Sequence, residues 1–236
     1  MSNRTLAAAL LLFCLTASAA AQTATPLQTP TPAPASPPAA KPSPTPAAAT
    51  PAQTDAQKKY DAMLELAKKG EGAVDYKALR FAYFETPGFS PLAGMMVYRS
   101  LWSVVGQGNW AEAIKQAESV LENNYVDVNA HMVAFIAHRE QKNAEKATYH
   151  RRWAEGLLDS IKSGGDGKSL ETAWHVISIS EEYAVLRSFN LRPVGQSLAN
   201  EKGHAYDVMK TVDPQTNAEA TFYFNVDKPF SAYGRK

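Results

Sequence analysis

The sequence predicts an α+β domain, with helical hairpins first and a small C-terminal antiparallel sheet packed with them. Three observations predict it. Between residues 55 and 163 apolar side chains recur at a helical period, with glycine, proline or asparagine at the breaks. After residue 170 the texture turns β-branched and alternating. A glycine-rich segment, Ser163 to Ser169, separates the two halves.

In the helical half, Thr54 or Asp55 can cap a first helix whose apolar positions are Tyr60, Met63, Leu64 and Ala67, and Gly70 and Gly72 stop it. A second helix covers Tyr76 to Phe84 and breaks at Pro87-Gly88. A third runs from Leu92 to Val105. Gly108-Asn109-Trp110-Ala111-Glu112-Ala113-Ile114 then opens a fourth, which ends near Asn123-Asn124. This turn resembles that of a tetratricopeptide repeat, where a small alanine lets paired helices approach closely. The repeat period is about 34 residues, and that step carries Asn109 and Ala113 onto Asn143 and Ala147. Helices from Asn129 to Gln141 and from Ala144 to Lys162 complete a second, degenerate pair. Trp110 becomes Ala144 and Ala117 becomes Arg151 at the matching positions, so the resemblance is partial.

In the sheet half, residues 170–236, Ala173 to Ile179 reads as a strand. Glu181 to Phe189 reads as a short helix and Val194 to Leu198 as a strand. Tyr206 to Val212 and Ala220 to Val226 form a hairpin around the turn residues Asp213 to Asn217. Trp153 and Trp174 flank the junction of the halves and are the candidates for a buried contact across it.

Upstream, residues 1–21 have the parts of a secretory signal peptide: Arg4, the apolar run Leu6 to Thr16, and Ala19-Ala20-Ala21 before Gln22. The run is too short to span a bilayer as a helix, which needs about 20 residues. Phe13 is too bulky to precede a lipidated Cys14, and cleavage before Gln22 leaves no cysteine. Residues 22–54 hold ten of the fifteen prolines and one charge, Lys41. Such a stretch cannot bury enough apolar surface to order itself and reads as a disordered Pro/Ala-rich tether. Residues 55–236 then form a single globular domain. The expected location is periplasmic or secreted, with no stable membrane anchor after cleavage.

The domain carries all 23 acidic residues and 22 of the 24 basic ones, a net charge of about −1 with neutral histidines. No basic stripe points to nucleic acid.

Gly156-Leu157-Leu158-Asp159-Ser160-Ile161, the Gly165 to Ser169 loop, Val176-Ile177 ahead of Glu181-Glu182-Tyr183, Gln196-Ser197-Leu198 and Phe222-Tyr223-Phe224-Asn225 resemble the bacterial domain of unknown function 4919. Leu121 to Tyr125 with Asp127, Ala130 and His131 is similar too. The resemblance covers most of residues 60 to 230. It supports the architecture and implies no activity.

The chemistry-bearing residues form no familiar set. Gly167-Lys168-Ser169 ends like a phosphate-binding loop, but Lys162 stands where that motif needs glycine, and a helix rather than a strand precedes it. No cofactor is expected. His131 and His138 lie two turns apart on one helix face and can meet His150, yet no pair has the i, i+4 spacing of a helical zinc site. No metal is expected, and these histidines read as surface or capping residues. Glu181-Glu182 is the densest polar cluster of the sheet half. Neighbours on one element face different ways, so the two make no facing carboxylate pair alone. Either can pair with Lys168 or Arg187, or act with Asp207 or His204. The weak catalytic candidates are therefore Glu181, Glu182, His204 and Asp207. The expected function is an exported interaction or scaffold module with a protein or peptide partner. The alternative is a cell-envelope hydrolase with a cleft near residues 163–169 and Glu181/Glu182.

Overall fold

The computed structural model describes residues 53–70 and 72–233, without the side chains of residues 93–96. All of them belong to the unit Thr50–Lys236. The expected signal peptide, and the expected tether up to residue 52, lie outside the described residues. No described helix is long and apolar enough to cross a membrane.

The helices follow the apolar periods. Helix α1 spans Asp55–Lys69; Thr54 caps it by accepting the Gln57 N–H, and Gly70 ends it in the left-handed conformation. Helix α2 (Tyr76–Phe84) is capped by Asp75, which accepts the Ala78 N–H. Helices α3 (Ala93–Gly106) and α4 (Trp110–Asn123) pair, as do α5 (Val128–Glu140) and α6 (Ala144–Lys162). Asn109 and Asn143 cap α4 and α6 in the same way, and Ala113 and Ala147 beyond them are buried.

Strand β1 is short, Trp174–His175, and is followed by α7 (Ile179–Ser188). Strands β2 (Arg192–Glu201), β3 (His204–Val212) and β4 (Glu219–Asn225) are followed by α8 (Asp227–Ala232). The four strands form one sheet in the order β1-β4-β3-β2. The sheet is mixed rather than antiparallel: β2, β3 and β4 pair antiparallel, but β1 runs parallel to β4, with Trp174 opposite Phe224. The alternation predicted a strand through Ile179, and it stops early for a local reason. The Ile177 N–H is taken by the Glu181 carboxylate at 2.8 Å, which turns the chain into α7.

The glycine-rich segment serves the sheet. Gly167 has φ +69°, and a β-carbon there would lie 2.7 Å from the Trp174 ring. Its carbonyl accepts the Tyr223 N–H, and the Trp174 indole N–H donates to Gly165. The loop is a cradle for Trp174 and closes one end of the sheet.

Two apolar cores result. One gathers α1, α2, α6, β1, α7 and the sheet, and includes both Trp153 and Trp174. Each tryptophan sits in its own aromatic nest there: Trp153 among Tyr76, Tyr125, His131 and Tyr149, and Trp174 among Phe189, Phe222 and Phe224. The second core joins α3, α4 and α5 through Leu101, Val104, Leu121 and a set of buried alanines. Alanine keeps these helices close because it adds little bulk at the contact.

Candidate functional site

Where the helix pair α3–α4 meets α2, α5 and the start of α7, a groove of about 520 Å³ opens. Helix α4 presents Gln116, Ser119, Val120 and Asn123 to it, the i, i+3, i+4, i+7 positions of one face. Ala113, Ala117 and Leu121 on the other face fill the core. Val97 and Ser100 of α3 form the facing wall. Phe89 and Ser90 close one end, while Asp127, Asn129, Ser180 and Glu181 lie deep in it.

Glu181 reaches the groove from the first turn of α7, yet its charge is cancelled from behind. Arg80 of α2 is fully buried and grips it bidentately, Nε to Oε1 at 2.7 Å and Nη2 to Oε2 at 2.5 Å. The same guanidinium donates to Ser160 and to the His175 carbonyl. Such a fork matches a carboxylate in geometry and charge, which suits it to a buried site. The sequence offered Lys168 or Arg187 as the partner. Arg187 instead stacks over Trp102 at 4.0 Å and donates to the Tyr98 hydroxyl, so α7 leaves no cation near Glu181 and α2 supplies it.

Asp127 caps α5 by accepting the Ala130 N–H at 2.9 Å. Burial pushes its carboxyl up to about 6; the backbone bonds oppose that shift and the Glu181 charge adds to it. Asn129 beside it is held at both ends, accepting from the Trp102 indole and donating to the Ser180 carbonyl. Ser178 and Ser180 bond each other at 2.9 Å.

The other sequence candidates lie elsewhere. Glu182 points away from the groove and is fully buried against the sheet, where Asp207 of β3 faces it. Neither of its oxygens has a hydrogen-bond partner among the described residues, and protonation would let it donate to Asp207. Burial first, then the Asp207 charge, raises it well above the usual carboxylate range. Asp207 also accepts from Gln196 at 2.7 Å. His204 is exposed at the start of β3 and bonds Asp227 at 2.6 Å. Thus Glu182 and Asp207 meet, Glu181 faces the groove alone, and His204 joins none of them. The 163–169 loop does not line the groove.

The three helical histidines do meet, but as buried groups rather than the surface or capping residues expected. His131 Nε2 lies 2.9 Å from the Tyr125 carbonyl, which can only accept, so this nitrogen carries the proton. His131 Nδ1 then accepts from His150 Nδ1–H at 3.0 Å. The His138 ring stacks on His150 at 5.6 Å. Burial lowers all three, His131 to about 3 and His150 to about 4. Among the described residues, no group of three or more His, Cys, Asp or Glu side chains could hold a metal ion.

Sequence reasoning missed Arg80 and Tyr83 as groove-building residues. Arg80 carried a signal: it is a cation flanked by Leu79 and Phe81 in an apolar helix, where only a buried acid can pair with it.

A family model described as domain of unknown function (DUF4919) matches residues 54–235. No curated protein and no solved structure matches the chain.

Proposed function

The chain belongs to the family described as domain of unknown function (DUF4919), and from the chemistry of the groove we propose that its domain is a binding module for an extended polypeptide segment, carried on an exported, tethered chain. One observation carries the reading: a single face of α4 offers Gln116, Ser119, Val120 and Asn123 to an open groove. The Ser119 hydroxyl and the Asn123 amide oxygen can hydrogen-bond a peptide backbone beyond the point where Ser100 bonds Gln116, while Val97, Val120 and Phe89 give apolar contact. The repeat-like pairing of α3 with α4 and of α5 with α6 belongs to the same proposal, since paired helices of this kind present grooves to peptides.

The hydrolase reading has one observation in its favour, the Asp127 carboxyl raised to about 6, a range useful in acid–base catalysis. The same carboxylate caps α5, and Glu181 beside it is held by Arg80, so the binding reading accounts for more of the groove.

Screening the purified chain against a peptide array tests the proposal. Bound peptides should be lost on Ser119→Trp, which fills the groove, with thermal unfolding unchanged. Binding that survives Ser119→Trp, or cleavage of the peptides, would contradict it. For the export part, intact-mass analysis should show a chain beginning at Gln22 without lipid; a mature chain that keeps Cys14 would contradict that part.

A further inference from the structure

We propose that the groove selects a segment carrying a lysine or arginine side chain, with Asp127 as its counter-ion and the Tyr83 hydroxyl as a second acceptor. This rests on the peptide-binding reading and names the chemistry of the occupant. Among the described residues that line the groove there is no Lys, Arg or His, and there are two carboxylates. The Glu181 charge is already matched by Arg80, which stands behind the groove and does not line it. Among the described residues the Asp127 charge has no cationic partner: its bonds come from the neutral backbone N–H groups of Ala130, at 2.9 Å, and Asn129, and from the Asn124 amide at 3.4 Å. The groove therefore holds one carboxylate, 7% exposed, that is satisfied by neutral donors at a helix N-terminus and has no described cationic side chain beside it.

A second observation is independent of the carboxylates. Tyr83 of α2 lines the groove and is only 8% exposed, and its hydroxyl is not one of the enclosed polar atoms without a partner, so its oxygen can accept from a group seated in the groove. Asp127 lies close enough for its charge to raise the Tyr83 phenol, and both residues line the groove. An ammonium or guanidinium seated there gives Asp127 its counter-charge and gives the tyrosine oxygen a donor. On α4 the Gln116 amide is engaged at both ends, accepting from Ser100 and donating to Glu112, so the Ser119 hydroxyl and the Asn123 amide oxygen are what the helix offers to the backbone of the same segment.

Charge at Asp127 depends on pH. The titratable groups that face it are Glu181 from α7, fixed by Arg80, and Tyr83 from α2, whose phenol stays neutral across the working range. Burial raises Asp127 to about 6, so cation binding should weaken below that value and strengthen above it.

The test is a calorimetric titration of the full chain with one neutral Gly/Ser/Asn host peptide carrying a single central lysine, norleucine or glutamate. At about pH 8 the lysine peptide should bind at least about tenfold tighter than the norleucine one, the size expected of one charge-assisted bond. The glutamate peptide should bind weakest. The lysine preference should shrink at about pH 5, where Asp127 is largely protonated. Asp127→Asn keeps the helix cap and should bring the lysine and norleucine peptides to equal affinity at both pH values. Tyr83→Phe should reduce the preference in part. If the three peptides bind equally to the parent chain, or if Asp127→Asn leaves the lysine preference intact, this inference fails and the peptide-binding reading stands. If none of them binds and the array is also blank, both fail.

Discussion

Arg80 shows how one residue sets the chemistry of its surroundings. Its guanidinium is wholly buried, and the Glu181 carboxylate makes that burial tolerable. Removing one partner of such a pair leaves an unmatched charge in the interior, which typically costs about 3–5 kcal/mol. Arg80→Met should therefore destabilise the domain by that order, and Arg80→Met/Glu181→Met should lose less than the single variant. Denaturant unfolding of the three proteins checks this; a double variant as unstable as the sum of the single ones would contradict the pairing. Glu182, next in sequence, illustrates the opposite case. Folding raises its pKa, so the folded chain keeps a proton that the unfolded chain releases above about pH 4.5. Stability from this group is thus present at low pH and falls as pH rises towards the raised folded value. Glu182→Gln should melt with the parent near pH 4 and above it near pH 8; a difference that is the same at both would contradict the assignment. The buried histidines act with the other sign. His131 and His150 are lowered to about 3 and about 4, so their contribution is full above about pH 6.5 and is lost as pH falls through that window. The sequence brought Glu182 and Asp207 forward as polar residues in the sheet half, but which face each would take depends on packing across elements, and spacing along one element does not carry that.

At the scale of elements, the six long helices were legible from their apolar period, and all but α3, which follows Leu92, also have a side-chain cap. Thr54, Asp75, Asn109, Asp127 and Asn143 all cap the helices that follow them. The β3–β4 hairpin was legible from Asp213 to Asn217, where Asn217 takes φ 57°. Strand β1 was not. Its alternation continues to Ile179, but the Glu181 side chain interrupts the ladder, and its partner Phe224 lies on a strand reached only after α7, β2 and β3. Parallel pairing over that distance leaves no local mark. The glycine-rich segment marks the boundary between helix and sheet, while its purpose, cradling Trp174, depends on the sheet being in place. Gly167→Ala should cost at least about 1–2 kcal/mol from the left-handed backbone alone, and more from the indole contact. Thermal melts would show it; a variant as stable as the parent would mean that the loop does not clamp Trp174.

At the scale of the whole molecule, the sequence divided the domain at residues 163–170, whereas the cores divide it differently. Helices α1, α2 and α6 share a core with the sheet, and α3, α4 and α5 hold the other. Tyr125 packs against both. The groove opens at the seam between these cores, so its residues come from stretches as distant in sequence as Tyr83 and Glu181. No motif search along the chain assembles such a set, which is why the site was less legible than the fold. Amide chemical-shift mapping of the full chain with the lysine-bearing host peptide tests this account most directly. Perturbations should cluster at Ser119, Asn123, Asp127 and Ser178–Glu181. Shifts concentrated instead in residues 163–169 and the β3–β4 hairpin, or none at saturating peptide, would contradict it.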